Sequence, residues 1–219
     1  MAKGLTRAAI VDAALCLLDK VGMEGMTVRA LAAELGVKAP ALYWHVRDKA
    51  ELLDEMATQV WREIVDELAG APADTAWDVG LRRFAEVLRA ALLRHRDGAK
   101  AFSGTYLTDA DVLASQEEGM RSWAAQGFTV ADTVRAFTLT SSFVVGFCIE
   151  EQAVLQADGR QQYDPKARAE RVGAAEHPLV AEAGESLFGD RDAQFASLVD
   201  VIVEAVGRFR AKGAGGPRR

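Results

Sequence analysis

Residues 27–49, TVRALAAELGVKAPALYWHVRDK, decide how this chain folds. Thr27 can accept a hydrogen bond from an unpaired amide of a first helical turn, so a helix should begin at Val28. Gly36 follows where the backbone can take positive φ at little steric cost, and the helix should end there. A second helix can start at Ala39–Pro40, because a proline in a first turn gives up only an amide that had no partner. Two helices joined by a short turn with glycine form a helix-turn-helix, whose second helix enters the major groove of DNA.

The segment APALYWHVRDKAELLDEM, with the TVRALAAELGV that precedes it, resembles the DNA-binding region of the TetR/AcrR family of transcriptional repressors. It is most similar to the tetracycline-responsive members of that family. The resemblance implies an all-α protein, in which an N-terminal three-helix bundle with a helix-turn-helix is joined to a larger helical ligand-binding and dimerisation domain. We expect the DNA-binding domain at residues 1–50, the ligand-binding and dimerisation domain at 51–212 and a flexible tail at 213–219.

A plain helical hairpin inside a bundle is the alternative interpretation of this segment. It is disfavoured because too many polar and aromatic residues crowd one short helix, namely Lys38, Tyr43, Trp44, His45 and Lys49.

Charge also supports DNA binding. The net charge is −6, but residues 1–50 hold seven Lys/Arg against five Asp/Glu, so this part carries +2 and the remainder −8. An acidic body with a mildly basic head is expected if only the head contacts phosphate.

Composition limits the class of protein. The chain has 219 residues, half of them apolar, and can bury a sizeable core. The apolar run 143–149 is far shorter than the ~20 residues needed to cross a bilayer, and no apolar signal core follows the N-terminal charges. We therefore expect a cytoplasmic protein without membrane contact. Cys16 and Cys148 lie in apolar helical patterns typical of small buried side chains, and no metal-ligand spacing occurs.

Apolar stripes at helical spacing and capping residues place the other helices. Thr6 should cap the first helix, and Asp48 should cap the fourth, with Glu51 able to return the bond. The predicted helices cover residues 5–21, 28–35, 38–45, about 48–68, a fifth that starts at Asp74 or Thr75, a short sixth that ends at Gly104-Thr105, 109–126, an eighth capped by Thr129 that reaches about 156, a short one near 166–175, and a last one from Asp190.

The eighth and last helices carry more hydrophobic surface than one small body needs to bury. In the family that the chain resembles, these two helices pair with their copies in a four-helix interface, so we expect a homodimer. A two-fold dimer presents two recognition helices about 34–36 Å apart, one turn of B-DNA, to a palindromic double-stranded DNA operator.

The motif assigns residues to DNA contact. Ammonium and guanidinium groups gain from phosphate by releasing counterions, whereas base edges need bidentate or methyl-sized contacts. We expect Thr27, Tyr43 and Lys49 on phosphates, Arg29 on a guanine, Lys38 within the recognition helix, and close apolar contact such as thymine methyls from Ala39, Pro40 and Ala41. Trp44 either contacts DNA or anchors the small core of the head, and the second role is favoured. For His45, DNA contact and helix packing are equally supported.

The ligand site that the resemblance implies has changed in this sequence. In the tetracycline-responsive members that the chain resembles, the drug-binding histidine falls at Val65, the drug-binding asparagine at Phe84 and the magnesium-binding histidine at Phe102. We therefore expect neither tetracycline-magnesium nor a metal or other cofactor. We expect a small-molecule inducer that is flat or apolar, in a cavity lined by Val65, Phe84, Leu88, Phe102, Tyr106, Phe137 and Phe147, with Thr105, Ser141 and Glu150 as polar groups. The equally supported alternative is that these phenylalanines fill the core and leave no cavity for a ligand.

Two other functions remain for comparison. An enzyme would need convergent chemistry, but His45, His95 and His177 lie in separate contexts, and neither a nucleophile elbow nor a phosphate loop appears. We therefore predict no enzymatic activity. The alternative to a ligand-responsive repressor is a DNA-binding regulator without a small-molecule inducer, controlled by a partner protein or constitutive. In a ligand-responsive repressor, the ligand should shift the sixth helix near Phe102–Thr105 and swing the fourth helix as a lever.

Overall fold

The computed structural model describes residues 5–70, 72, 74–154, 165–187 and 189–213. In these ranges every regular element is a helix, which confirms the predicted all-α class. The elements are α1 Arg7–Gly25, α2 Val28–Glu34, α3 Ala39–Leu42, α4 Lys49–Ala69, α5 Trp77–Leu93, α6 Gly98–Ala101, α7 Ala110–Ala114, α8 Gln116–Ala125, α9 Val130–Val154, α10 Pro165–Val172, α11 Pro178–Leu187 and α12 Arg191–Gly213. None of these described helices is both long and apolar enough to cross a membrane.

The N-terminal head, α1 to α3, forms as the local signals predict. Thr6 Oγ1 accepts from Ala9 N at 3.2 Å and caps α1, and Thr27 Oγ1 accepts from Ala30 N at 3.1 Å and caps α2. Gly36 has φ +66°, so the chain reverses there into the turn before α3. The helix α1 packs against both α2 and α4, which seats the head on the start of the body.

The recognition helix is shorter than predicted. Only Ala39–Leu42 are α-helical, Lys38 lies in the N-cap position without a side-chain cap, and the chain turns after Tyr43. The helix ends because the amides of both His45 and Val46 donate to the same carbonyl, that of Leu42, which closes the last turn. Residues 38–46 are called the recognition segment below.

The body is built around α5, which packs against α4, α9 and α12. Its N-terminus corrects a prediction, because neither Asp74 nor Thr75 caps it. Instead Trp77 N donates to Gln126 Oε1 at 2.8 Å, a side chain from the end of α8. The buried apolar residues form one connected core that runs from Ile10 in the head to Val206 in α12.

The remaining predicted bounds differ in detail. The helix expected at 109–126 is two helices, α7 and α8, and Ser115 lies between them with its hydroxyl donating to the Val112 carbonyl at 2.8 Å. The helix expected near 166–175 is α10, and it packs on α11, which was not predicted. Of the predicted tail only Gly213, the last residue of α12, is described; residues 214–219 lie outside the described residues.

The two cysteines differ in burial. Cys16 is exposed on α1, which corrects the expectation that it is buried, whereas Cys148 on α9 is buried. Burial and the nearby charge of Glu151 raise the pKa of the Cys148 thiol to about 12, so it stays protonated at neutral pH and packs as a small hydrophobe.

Candidate nucleic-acid interface and ligand-binding core

The recognition segment presents aromatic side chains to solvent. Tyr43 is 54% exposed and Trp44 is 87% exposed. The favoured interpretation of Trp44 as an anchor of the head's core is therefore wrong. The core position is filled by Leu42 and Val46, whose side chains are buried on either side of the turn. An indole that is not needed for packing is free to contact a ligand such as the DNA backbone.

The other predicted DNA-contact residues lie on or next to α2, α3 and the start of α4. Thr27, Arg29, Lys38 and Pro40 are exposed, whereas Ala39, Ala41, His45 and Lys49 are half-buried. The hydroxyl hydrogen of Thr27 remains available, because its oxygen serves the cap as an acceptor. Lys49 also has a structural role, since its Nζ donates to the Met23 carbonyl at 3.1 Å. Within the described residues, Arg29 and Lys38 form no ion pair.

One feature of the head was missed in the sequence. Glu51 was expected to return a bond to its cap, Asp48, but Glu51 Oε2 accepts from Arg47 N at 2.6 Å and from Arg47 Nε at 3.0 Å. The spacing of Asp48 and Glu51 indicated a capping box, but not which amide the carboxylate would choose. Arg47 directly follows the recognition segment in the sequence, and we include it in the candidate interface.

The head is tied to the body by the loop between α5 and α6, residues 94–97. Asp97 Oδ2 accepts from Met23 N at 3.0 Å, and Asp19 on α1 accepts from Arg96 N at 3.0 Å and faces His95 Nδ1 at 3.1 Å. Gly22 has φ +69°, and a Cβ there would lie 2.7 Å from Asp97 Oδ2, so only glycine lets the two segments approach this closely.

The same loop is held from the body side by α9. Gln152 Nε2 donates to the carbonyls of Leu92 at 3.2 Å and His95 at 2.8 Å, and Gln152 Oε1 accepts from Ala99 N at 3.1 Å. A continuous set of hydrogen bonds thus connects α9, the 94–97 loop and the end of α1.

Two of the predicted ligand-site phenylalanines lie in one aromatic cluster. The Phe84 ring is 4.9 Å from Phe137 and 6.3 Å from Trp61, and Phe137 is 5.2 Å from Trp123. Phe84 is only 5% exposed. Further ring contacts extend the cluster to Phe128 and Trp77. Each ring has another ring as its neighbour, so this part of the predicted site is packed with side chains.

Two other predicted ligand residues, Phe102 and Phe147, have ring neighbours outside that cluster. Phe102 packs edge-on against His95 at 5.9 Å, whereas Phe147 packs against Phe143 and Phe195. Leu88 is buried, and Val65 and Ser141 are half-buried. The Thr105 hydroxyl donates to the Phe102 carbonyl at 2.8 Å.

Tyr106 and Glu150 do not line the interior of this subunit, contrary to prediction. Tyr106 is 78% exposed, because its amide is fixed to Asp54 Oδ1 at 2.8 Å in an extended loop on the surface of α4. Glu150 is exposed because it lies about 200° around α9 from the buried Cys148.

An open cavity of about 350 Å³ lies elsewhere, between α5, α9 and α12, and none of the predicted ligand residues lines it. Arg89 forms one wall. Two of its guanidinium nitrogens donate to the Glu151 carboxylate at 2.7 and 3.1 Å, and the third lies 2.7 Å from an Asp192 oxygen. Its guanidinium also lies 4.8 Å from the Phe195 ring centre. Burial lowers the pKa of Arg89, but the two carboxylates outweigh it and leave that pKa above its usual value. The cation is thus already neutralised within the wall.

The residue at the position of the magnesium-binding histidine does not fit a metal ion. Phe102 offers a hydrocarbon ring, and in the part of the chain that the structure describes no three His, Cys, Asp or Glu side chains come together as a metal site.

Comparison with known proteins gives a consistent result over nearly the whole chain. Residues 10–56 match the family of bacterial regulatory proteins named tetR, and residues 69–207 match the tetracyclin repressor-like C-terminal domain. The class A tetracycline repressor from transposon 1721 of Escherichia coli is 35% identical over 96% of this chain and 95% of its own length. The class C repressor of Escherichia coli is 38% identical over 94% and 92%.

Solved structures agree. The crystal structure of a possible TetR family transcriptional regulator from Streptomyces coelicolor A3(2) has a TM-score of 0.80 and 34% identity, over 93% of this chain and 99% of that one. A class A TetR in complex with 5a,6-anhydrotetracycline and magnesium has a TM-score of 0.66 and 31% identity, over 93% and 99%. Proteins of this family are transcriptional regulators and not enzymes. The chain therefore belongs to the TetR family, as a transcriptional repressor with an N-terminal helix-turn-helix and a C-terminal ligand-binding domain.

Proposed function

We propose that the protein is a homodimeric repressor that binds a palindromic operator through its recognition segments and leaves it when a small apolar or aromatic molecule binds the body. DNA binding is supported above all by the exposure of Tyr43 and Trp44 on the same head as Arg29 and Lys38, two exposed cations that form no ion pair with any residue the structure describes. Aromatic and cationic groups on one small head match the sugar-phosphate backbone, and the small side chains Ala39 and Ala41 allow close approach to the bases.

The proposed dimer uses faces that a single subunit leaves uncovered. On α9, Val134 is 48% exposed and Leu139 is 42% exposed; on α12, Leu198 and Val201 are 39% and 62% exposed. Small residues continue the α9 face at four-residue spacing, namely Thr138, Ser142 and Gly146. Small residues let two helices approach closely, and apolar residues on two adjacent helices favour burial against a second copy.

The proposed operator differs from those of the tetracycline repressors. In the tetracycline-responsive repressors that the chain resembles, a glutamate stands at the position of Lys38, and a glutamine and a threonine stand at the positions of Ala39 and Ala41. Exchanging an anion for a cation adds affinity for phosphate or guanine, whereas the two alanines replace hydrogen-bonding side chains by methyl groups. We therefore expect readout by apolar contact at the bases facing Ala39 and Ala41.

The proposed inducer is an organic molecule that binds without a metal. The class A repressor above is in complex with a tetracycline derivative and magnesium, whereas this chain has Phe102 at the metal position and Phe84 at a drug position. Because Phe84 and Phe137 are in ring contact, the ligand must part these rings and replace their contact with its own. An aromatic molecule can do so with little loss of packing.

The proposed signal travels through contacts that reach from the body to α1. Phe102 directly follows α6 and packs on His95, and His95 faces Asp19 on α1. A ligand that displaces Phe102 would move the 94–97 loop and with it the end of α1. A second contact reaches α4, because Thr108 N donates to Thr58 Oγ1 at 2.9 Å and Asp109 pairs with Arg62 at 2.6 Å. The coupling acts only if the ligand prefers one arrangement of the heads.

Replacing Asp97 with alanine should loosen the head from the body. The part-buried Met23 amide would lose its acceptor, so we expect a loss of about 1–3 kcal/mol in the free energy of unfolding and a weakened response of DNA affinity to ligand. Asp97→Asn is the matched control, since its amide oxygen can still accept and asparagine tolerates the observed φ of +56°. Urea unfolding of both variants measures the difference, and equal midpoints for alanine and asparagine would contradict the role of the acceptor.

The proposed function is tested by DNA selection followed by titration. The wild-type protein should enrich a palindromic duplex from randomised DNA, and Arg29→Ala should relax selection at one base pair per half-site, at a cost of about 1–3 kcal/mol. A panel of tetracyclines with magnesium and of metal-free aromatic compounds is then added to the complex. Release by a metal-free aromatic compound supports the proposal, while compounds that bind tightly without release would contradict it.

The alternative, a DNA-binding regulator without a small-molecule inducer, is favoured by one observation. The ring contacts between Phe84, Phe137 and Trp61 fill the predicted site with side chains. For this alternative, none of the panel would bind the body, and operator affinity would depend on a partner protein or stay constant.

A further inference from the structure

We propose that Glu51 is a positioning residue for operator binding, which fixes the backbone of Arg47 where the recognition segment joins α4. The inference rests on the proposed function, because it concerns how the head meets DNA. It adds a residue that lies outside the recognition segment and outside the predicted set of DNA contacts.

The recognition segment needs such a fixed end because it contains little helix of its own. The helix α3 has four residues, and its N-cap, Lys38, makes no side-chain cap. A single helical turn is unstable alone, so its orientation is set by the contacts at its ends. Leu42 and Val46 are 0% and 1% exposed and anchor one side in the core. The next residue, Arg47, has an 84% exposed side chain and cannot be anchored by burial.

Glu51 provides the missing anchor through its carboxylate. One oxygen accepts from both the backbone amide and Nε of Arg47, at 2.6 and 3.0 Å. The amide of Glu51 donates to Asp48 Oδ1 at 2.9 Å, so the first turn of α4 and the end of the recognition segment are locked together. Hydrogen bonds to an ionised acceptor are stronger than neutral ones.

The environment keeps Glu51 charged. The hydrogen bond from the Arg47 backbone, followed by that from its side chain, lowers the pKa of the Glu51 carboxyl below its usual value. Arg7 on α1 also lies 3.5 Å from the other oxygen, and its side chain bonds Glu55 at 2.5 Å. The carboxylate thus joins three parts of the head: α1, the end of the recognition segment and α4.

The test compares Glu51→Ala, Glu51→Gln and the control Glu55→Gln on the palindromic duplex that the wild-type protein selects. Glu51→Ala leaves the Arg47 amide without its acceptor, and we expect operator affinity to fall about tenfold. Glu51→Gln keeps an oxygen that can accept from the amide but loses the charge, so its affinity should lie between those of Glu51→Ala and the wild type. Glu55→Gln alters the partner of Arg7 but touches neither Arg47 nor Asp48, and it should bind as wild type.

The outcomes separate the inference from the proposed function. Wild-type affinity in Glu51→Ala, or a Glu51→Gln protein as weak as Glu51→Ala, would overturn the positioning role while operator binding stands. A wild-type protein that selects no duplex would overturn the proposed function and this inference with it. Thermal unfolding of all three variants within a few degrees of wild type shows that the affinities report on the head and not on loss of fold.

Discussion

Replacing Leu139 with glutamate should leave the protein monomeric and lower its operator affinity on the order of a thousandfold. Leu139 lies on the exposed face of α9 that we propose as the dimer interface. A carboxylate there would be buried against the second copy without a partner, and an unpaired buried charge is strongly destabilising. Each monomer would then bring one recognition segment to a site built for two, and specific binding would fall toward the level of non-specific binding.

Leu113 provides the matched control for this substitution. It is also an exposed leucine, 51% accessible, but it lies on α7, away from the proposed interface. Leu113→Glu should remain dimeric and bind the operator as wild type does. Sedimentation gives the oligomeric state of both variants, and DNA titration gives their operator affinity. A Leu139→Glu protein that stays dimeric with unchanged affinity would show that α9 does not form the interface.

Replacing Phe84 with alanine should lower the free energy of unfolding by about 3–5 kcal/mol. Phe84 is 5% exposed and contacts the rings of Phe137 and Trp61, so its removal leaves a void in close-packed surroundings. The size of the loss distinguishes the two interpretations of the site. A wall of an open pocket would lose only about 1 kcal/mol, because the truncated side chain would already face solvent or ligand.

Tyr106 is the control for Phe84, because both were expected to line the same cavity. Tyr106 is 78% exposed, so Tyr106→Ala should change the free energy of unfolding by less than about 0.5 kcal/mol. Urea unfolding gives both values. An apolar void left by Phe84→Ala can take up a benzene-sized molecule, so added benzene should recover part of the lost stability in that variant alone.

Much of the fold follows from short-range signals. Thr6, Thr27 and Asp48 cap the helices they were expected to cap, and Gly36 has the positive φ expected of it. These features succeed because a cap or a turn involves residues three or four apart, whose geometry is set by the chain itself. The length of the recognition helix was overestimated, because the amides of His45 and Val46 both donate to the Leu42 carbonyl and close the last turn early.

The candidate sites were less accessible to sequence reasoning. The DNA-contact positions came from a motif of contiguous residues, but the exposure of Trp44 depends on which neighbour fills the core. Phe84 and Phe147 lie on the helices predicted for them, whereas α6 ends at Ala101, before Phe102, although it was predicted to reach Gly104-Thr105. Phe84, Phe102 and Phe147 also face different neighbours. Helical spacing gives the face on which a side chain lies and does not give the partner that occupies the space in front of it.

The amino-acid sequence by itself predicted an all-α fold, a helix-turn-helix within residues 27–49 and a division of charge between a basic head and an acidic body. Only the tertiary structure decided that Gln126 caps α5, that Trp44 faces solvent, that Glu51 holds Arg47 in its observed geometry and that Asp97 binds Met23, 74 residues away. The division has a physical reason. Helix periodicity and capping are properties of neighbouring residues, whereas burial and long-range hydrogen bonds depend on where the core closes, which no local pattern contains.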